Sequence, residues 1–436
     1  MTPNPSSPPR AGLFKDRNFK WMLSGSIVSM MGDQFTLIAL PWLVLMMTGD
    51  TLVLGLMLGI MSVPRAVFML VGGAVVDRYS PKRVLMWTKH VSTVLLLALA
   101  ALVYTGRVTT GSLSVLAFGL GLAMAFSIPS ATSMLPRVVA PQQLQAANGV
   151  VLGLRQLSMF AGPLLAGGLI AAFGDGHADR VSDHRGLSFA FLFDAFSFAF
   201  SAWTLAKVQT RELPSTAGSA AGQAVLKAVW QGLKWCWSDL DLRTCFLYWS
   251  AVALLITGPI QIALPVLASR LPGESGAAGF GLLMGAHGAG TLLGMAVAGA
   301  RPGVRARNLG TTLLLVDGIV GLLFIPMGSI TALWQGAALL LTIGLLSGFM
   351  HVAVFTWIQR RVPPAMLGRA MSIFMFIFMG LAPISAAVTG WVMRAVTLTQ
   401  VFAISGGSLV AAVVLAMATS RIRNISDAPT APVSGG

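Results

Sequence analysis

The sequence has 436 residues, of which 56% are apolar and 10% charged, and its formal net charge is +15. An average soluble domain carries about 25% charged residues, and a chain this long with so few charges cannot cover a globular surface with polar groups. With a mean hydropathy of +0.79, the soluble, disordered, collagen-like and coiled-coil classes are excluded and a polytopic membrane protein remains.

In chain order, residues 1–18 are Pro/Ser-rich and then basic, and read as a cytoplasmic tail before a first membrane helix. A helix needs roughly 20 mostly apolar residues to cross a bilayer. Twelve such runs are predicted, centred near residues 33, 64, 94, 123, 159, 196, 256, 287, 318, 345, 382 and 409. Short turn-like connections separate most of them, among them 48–51, 77–83, 105–110 and 301–308. Two connections are longer. One is polar, 174–186; the other, 207–241, ends in AVLKAVWQGLKWCW, read either as an amphipathic helix on the membrane surface or as a packed linker helix. Cys236 and Cys245 provide neither a disulfide framework nor enough ligands for zinc. The expected organisation is therefore a tail at 1–18, a six-helix bundle at 19–206, a cytoplasmic linker at 207–241, a second six-helix bundle at 242–420 and a cytoplasmic tail at 421–436.

Lys and Arg are retained on the cytoplasmic side of a membrane. With the N-terminus inside, 22 of the 29 fall in inner loops and tails, five outside, and Arg65 and Arg155 within spans. The positive charge is spread over many loops, so it labels topology; a nucleic-acid partner, which needs one continuous basic face, is excluded. The chain also repeats itself. Ala39-Leu-Pro41 recurs at Ala263-Leu-Pro265, Gly55 to Gly59 at Gly281 to Gly285, and Arg137 through Pro141 with Leu144 to Ala147 at Arg360 through Pro364 with Leu367 to Ala370, all at offsets of 223 to 226. Two parallel six-helix halves are the simplest account, a design of secondary transporters with the site between the halves near the bilayer midplane.

The stretch Gly73-Ala-Val-Val-Asp77-Arg78-Tyr-Ser-Pro-Lys82-Arg83-Val-Leu85 resembles the cytoplasmic signature of the major facilitator superfamily, G-x-L-x-D-R-x-G-R-R-x-x-L, with Ser80 and Pro81 as departures. The resemblance implies a gate closing the cytoplasmic side, Asp77 facing the start of helix eleven near Arg369 as an acid facing free helix N–H groups. Gly162-Pro163-Leu-Leu-Ala166-Gly167-Gly168 in helix five is similar to the G-P-x-x-G-G motif of the family's exporters, with Ala166 in place of the first paired glycine. Such a pattern gives a bend and close helix approach. Further segments, including Gly32-Asp33, Phe193-Asp194 and a second-half loop with Arg360, Arg361, Pro363, Gly368 and Arg369, look like the branch containing macrolide-efflux and enterobactin-export proteins. Helix four lacks the arginine that many proton-coupled exporters of this superfamily carry, and a mid-membrane arginine stands on helix five as Arg155.

An ionisable residue within a span is a functional candidate. At 1.5 Å per residue, Asp33, Arg65, Arg155 and Asp194 all lie about 16–20 Å above the cytoplasmic helix ends, and two acids and two bases at one level imply pairing. Asp33 lies on a stripe of small and polar residues, Gly25, Ser26, Ser29, Gly32 and Thr36. It is expected either to carry the coupling proton or to lock the half in a static ion pair; for Asp194 the structural role leads. His287, Asp317 and His351 stand isolated in the second half, Asp317 as a candidate for the cavity wall.

No lysine follows a glycine, so a Walker A loop is impossible, and HExxH and GxSxG are absent. No enzyme, cofactor or metal is expected. The chain reads as an all-α membrane protein exporting a small amphipathic organic molecule, an antibiotic or siderophore, by alternating access, with protons as the coupling ion. An uptake transporter of the same fold and a lipid-handling or regulatory membrane protein are the alternatives. Its expected partners are that substrate, protons and membrane lipid, as a monomer in the cytoplasmic membrane with both termini inside.

Overall fold

The computed structural model describes residues 13–173, 185–211, 234–271, 276–301 and 306–425, without the side chains at 66, 69–78, 141, 145, 364, 365, 368, 369 and 372. Among the described residues there is no strand. In a bilayer a helix satisfies its own backbone polar groups, which an isolated strand cannot do. The helices are α1 (Arg17–Thr48), α2 (Thr51–Arg78), α3 (Pro81–Tyr104), α4 (Thr110–Val138), α5 (Leu144–Phe173), α6 (Arg185–Lys207), α7 (Leu240–Arg270), α8 (Ala277–Ala300), α9 (Leu309–Ser329), α10 (Leu333–Arg361), α11 (Pro364–Gly380 and Ala382–Val392) and α12 (Leu398–Thr419). Eleven are apolar and long enough to span over their described residues, and α2, at 28 residues, is the twelfth.

Polar residues fix the helix starts. The Asp16 carboxylate accepts from the Asn18 and Phe19 amides at the start of α1, and Asp239 accepts from Asp241 and Leu242 at the start of α7. These caps are 223 residues apart, at the offset of the sequence repeat. Thr109, Asn308 and Thr397 cap α4, α9 and α12. Proline marks the irregular turns. α7 passes through a π-turn at Pro259–Ala263 and α11 breaks at Leu381 before Pro383, as expected where the ring removes a backbone donor.

The chain forms two compact units. The first comprises residues 1–40, 63–175 and 182–221, the second 41–62, 176–181 and 222–436. Pro41 opens the second unit's share of α1, and Pro64 lies one residue after the first unit resumes in α2. In the first unit α3 packs on α4 and α6. The end of this bundle where α1 begins is closed by a core including Phe19, Leu23, Leu85, Leu135, Val138 and Leu205. In the second unit α8 packs on α10, and α9 on α12. The α8–α10 contact is backbone on backbone. A Cβ added at Gly290 would fall 2.8 Å from the Leu341 carbonyl carbon, and one at Gly294 2.8 Å from that of Leu345. Small residues are what allow membrane helices to approach this closely. Residues 41–62 pack on α11, where Thr51 Oγ1 donates to the Gly390 carbonyl at 3.1 Å and Asp50 pairs with Arg394.

Candidate functional site

The stripe of small and polar residues on α1 meets α6. A Cβ at Gly25 would lie 3.2 Å from Ser201 Cα, and one at Gly32 2.6 Å from Ser197 Cβ, so the two backbones converge at the level of Asp194. Asp194 is 1% exposed, which leaves its carboxyl dependent on protein partners. Thr36 Oγ1 donates to its Oδ2 at 2.5 Å, and Ser197 Oγ lies 3.1 Å from its Oδ1. Asp33, the next residue of α1, is half-buried, and its Oδ1 is buried with no hydrogen-bond partner among the described residues. A buried acceptor without a donor is costly and needs a reason.

The reason lies on α3. Lys89 Nζ donates to Ser29 Oγ at 2.6 Å and sits 4.5 Å from the centre of the Phe198 ring. Its charge acts on both Asp33 and Asp194, and Asp194 also feels the charge of Asp33. Arg155 on α5 acts on Asp33 more weakly than Lys89 does; its side chain is exposed within the protein. The cluster is therefore Asp33, Asp194 and Lys89, with Arg155 at its margin. Arg65, half-buried on α2, forms no ion pair among the described residues.

The inner-loop count of basic residues took in Lys89, yet it lies eight residues past Pro81, about 12 Å along α3. The signal for it was periodicity. The buried face of α3 runs Leu85, Thr88, Ser92, Leu96, Leu99 and Val103, and Lys89 falls on that face, four residues after Leu85 and three before Ser92.

The helix-five motif also touches α1. A Cβ at Gly162 would be 2.5 Å from Gln34 Cβ; Pro163 and Gly167 are buried and α5 continues through the proline. Gly73, Asp77 and Arg78 lie in the last turns of α2, and Gly368 and Arg369 in the first turns of α11; their side chains, and with them the gate contact expected for Asp77, lie outside the described residues. Lys82 caps the end of α6, donating to the Val208 carbonyl at 2.7 Å and the Ala206 carbonyl at 3.4 Å, a favourable place for a cation. Arg83 is exposed.

In the second unit Asp317 is not isolated: Tyr248 Oη on α7 donates to its Oδ2 at 2.9 Å. His351 lies in an aromatic group with Phe355, Phe374 and Phe378, and His287 is half-buried on α8. Arg361 lies 3.1 Å from both Asp239 oxygens and 2.9 Å from Asp241, tying the end of α10 to the start of α7; Arg360 and Pro363 are exposed. Near these acids Cys236 is buried, and burial, followed by the Asp239 charge, pushes its thiol up to about 11. At the opposite end of the same unit the Arg394 hydrogen bond holds the Asp50 carboxyl below its ordinary range. A cavity of about 810 Å³ opens beside that pair, lined by Trp42, Met46, Val266, Arg270 and Met393 among others.

Apolar spans with ionisable groups buried between them define a polytopic helical membrane protein. Residues 22–387 match the profile described as Major Facilitator Superfamily, and the chain belongs to that family. It is 27% identical to the multidrug efflux pump Tap of Mycolicibacterium fortuitum over 54% of this chain and 55% of the pump, so it spans about half the length of that relative. It is 23% identical to the enterobactin exporter EntS of Salmonella typhi over 91% of this chain and 90% of EntS. Among solved structures, the nucleoside transporter NupG superposes with a TM-score of 0.67 at 14% identity, covering 91% of this chain and 98% of NupG. A bacterial homologue of the iron transporter ferroportin, in an inward-facing state, gives 0.67 at 19% identity, covering 92% and 97%. At these identities the structural likeness speaks for the fold alone.

Proposed function

We propose that this protein is a proton-driven exporter of a small amphipathic organic molecule, working by alternating access in the cytoplasmic membrane with both termini inside. The observation that carries the coupling is the buried oxygen of Asp33, without a hydrogen-bond partner among the described residues, beside Lys89 and Asp194. A carboxyl in that position changes its local charge balance on taking or losing a proton, and an intramembrane acid with a nearby cation is the usual material of a proton relay. Asp194, whose carboxyl is held by Thr36 and by Ser197 of its own helix, acts as the fixed member of the pair. The outward direction rests on the likeness to Tap and EntS and on the Gly162-Pro163 approach to α1. Lys82, Arg83, Asp77, Arg78 and Gly73 serve as the cytoplasmic gate, together with Arg360, Arg361, Pro363, Gly368 and Arg369; Asp317, which lies away from the cavity beside Asp50, belongs to the wall of the substrate path and favours a cationic group on the substrate.

Two measurements test this. Ethidium accumulation and extracellular metabolites are compared in cells expressing or lacking the protein; an exporter lowers the first and adds a compound to the second, while the reverse pattern indicates uptake. In vesicles with an imposed pH gradient, Asp33→Asn abolishes gradient-driven movement of the compound so found. Unaltered coupled export by a normally inserted Asp33→Asn protein sinks the coupling role.

A further inference from the structure

Lys89 is held one turn away from an acceptor that has no partner among the described residues. Its ammonium is parked on Ser29 and over the Phe198 ring, and it forms no ion pair with either acid among the described residues, although its charge reaches both. Ser29 and Asp33 are four residues apart on α1, neighbours on one helix face, separated by a rise of about 6 Å. The buried Asp33 Oδ1 accepts no hydrogen bond among the described residues. Asp194 Oδ2, by contrast, is already taken by Thr36. A flexible four-carbon stem with a compact ammonium suits such a displacement better than the planar fork of an arginine, and the aromatic face lowers the cost of the parked position.

Among the described residues the charged and titratable groups around Lys89 are few. They are Asp33 on α1, Asp194 on α6 and Arg155 on α5 acting through Asp33; α4 has only Arg137, in its last turn. His90 is exposed on α3, and Arg65 of α2 has no ion pair among the described residues.

We propose that Lys89 is the movable counter-ion of Asp33, resting on Ser29 while Asp33 is protonated and shifting one turn along α1 to Asp33 Oδ1 when the proton leaves. Asp33 gives its proton to water on the side then accessible, the lysine keeps all three of its own, and the bond to Ser29 is exchanged for one to the new carboxylate. Lys89 is thus a positioning residue for coupling, and the inference rests on the reading of Asp33 as the proton-carrying acid.

The test is an infrared titration of the protonated-carboxyl band of the full 436-residue chain in phosphatidylethanolamine/phosphatidylglycerol liposomes, with Asp33→Asn identifying the Asp33 contribution. Lys89→Met moves the Asp33 midpoint to higher pH than in the wild type, a rise in proton affinity on the order of tenfold or more. Ser29→Ala removes the parking place, favours the ammonium at Asp33 and moves the midpoint to lower pH. Ser29→Ala alone carries the test if Lys89→Met does not insert. An unmoved midpoint in either variant, or shifts of the same sign, overturns the counter-ion and leaves the Asp33 reading standing. If Asp33→Asn removes no titrating band, that reading fails and takes the counter-ion with it.

Discussion

Gly294→Ala isolates the packing that holds α8 to α10. The added Cβ would lie 2.8 Å from both the Leu345 carbonyl carbon and the Phe349 nitrogen, and closer still to the Leu345 oxygen. Ordinary contact begins near 3.4 Å, so the helices must part by more than about 0.6 Å, the Leu345 oxygen being the nearest obstacle, and no side chain can yield in their place because the obstructing atoms are backbone. A radial gap of about 0.5–1 Å forfeits a quarter to a half of each dispersion well, and overpacking of this kind costs about 1–3 kcal/mol. At about 2–4 °C per kcal/mol for a unit of this size, the melting temperature falls by about 2–12 °C. The control is Gly407→Ala in α12, where a Cβ meets nothing within 4 Å and alanine is the better helix former. Thermal unfolding of the purified protein in one detergent compares the two. The reasoning is refuted if Gly294→Ala melts with the wild type, or if Gly407→Ala loses as much.

Removing the hydroxyl that Asp317 depends on, as in Tyr248→Phe, destabilises the protein by about 1–3 kcal/mol, since it leaves a carboxyl short of its donor; an unchanged melting temperature would show that the bond is dispensable. The Asp50–Arg394 pair predicts a specific pH profile. Because the Asp50 carboxyl is held below its ordinary value, the pair's contribution is fully present above pH about 4 and is lost as pH falls through the lowered value. The gap in melting temperature between wild type and Arg394→Gln is therefore constant from about pH 5 to 8 and closes only below about 4; closure near pH 6 contradicts the assignment. Cys236, buried and with its thiol pushed up to about 11, resists maleimide at neutral pH in the folded protein and reacts once denaturant is added, as read by mass spectrometry.

Twelve helices, the 223-residue repeat and the family motifs were legible in the sequence because each is a local property. A span is announced by its own run of apolar residues, a cap by one Asp or Thr before a helix, as at Asp16 and Asp239, and a bend by its proline. The buried acids were legible on the same ground, since an ionisable residue in an apolar run is conspicuous. Lys89 was not conspicuous, because it stands near the start of its helix among the basic residues that mark topology. Only its place on the buried face of α3, against Ser29, separates it from them.

What linear order could not supply was the partners. Tyr248 and Asp317 are 69 residues apart, Asp239 and Arg361 are 122, Thr36 and Asp194 are 158, and Asp50 and Arg394 are 344. Each pairing depends on which helix faces converge, and those faces are set by small residues and backbone approach, as at Gly32 and Gly294, more than by the charges themselves. The sequence by itself determined that the chain is a multi-pass membrane protein, where its apolar runs fall and which residues bear charge there. The tertiary structure alone decided which charges meet, because a buried charge is satisfied by geometry in three dimensions. It replaced an expected set of two acids and two arginines with two acids, one lysine and an arginine at the margin.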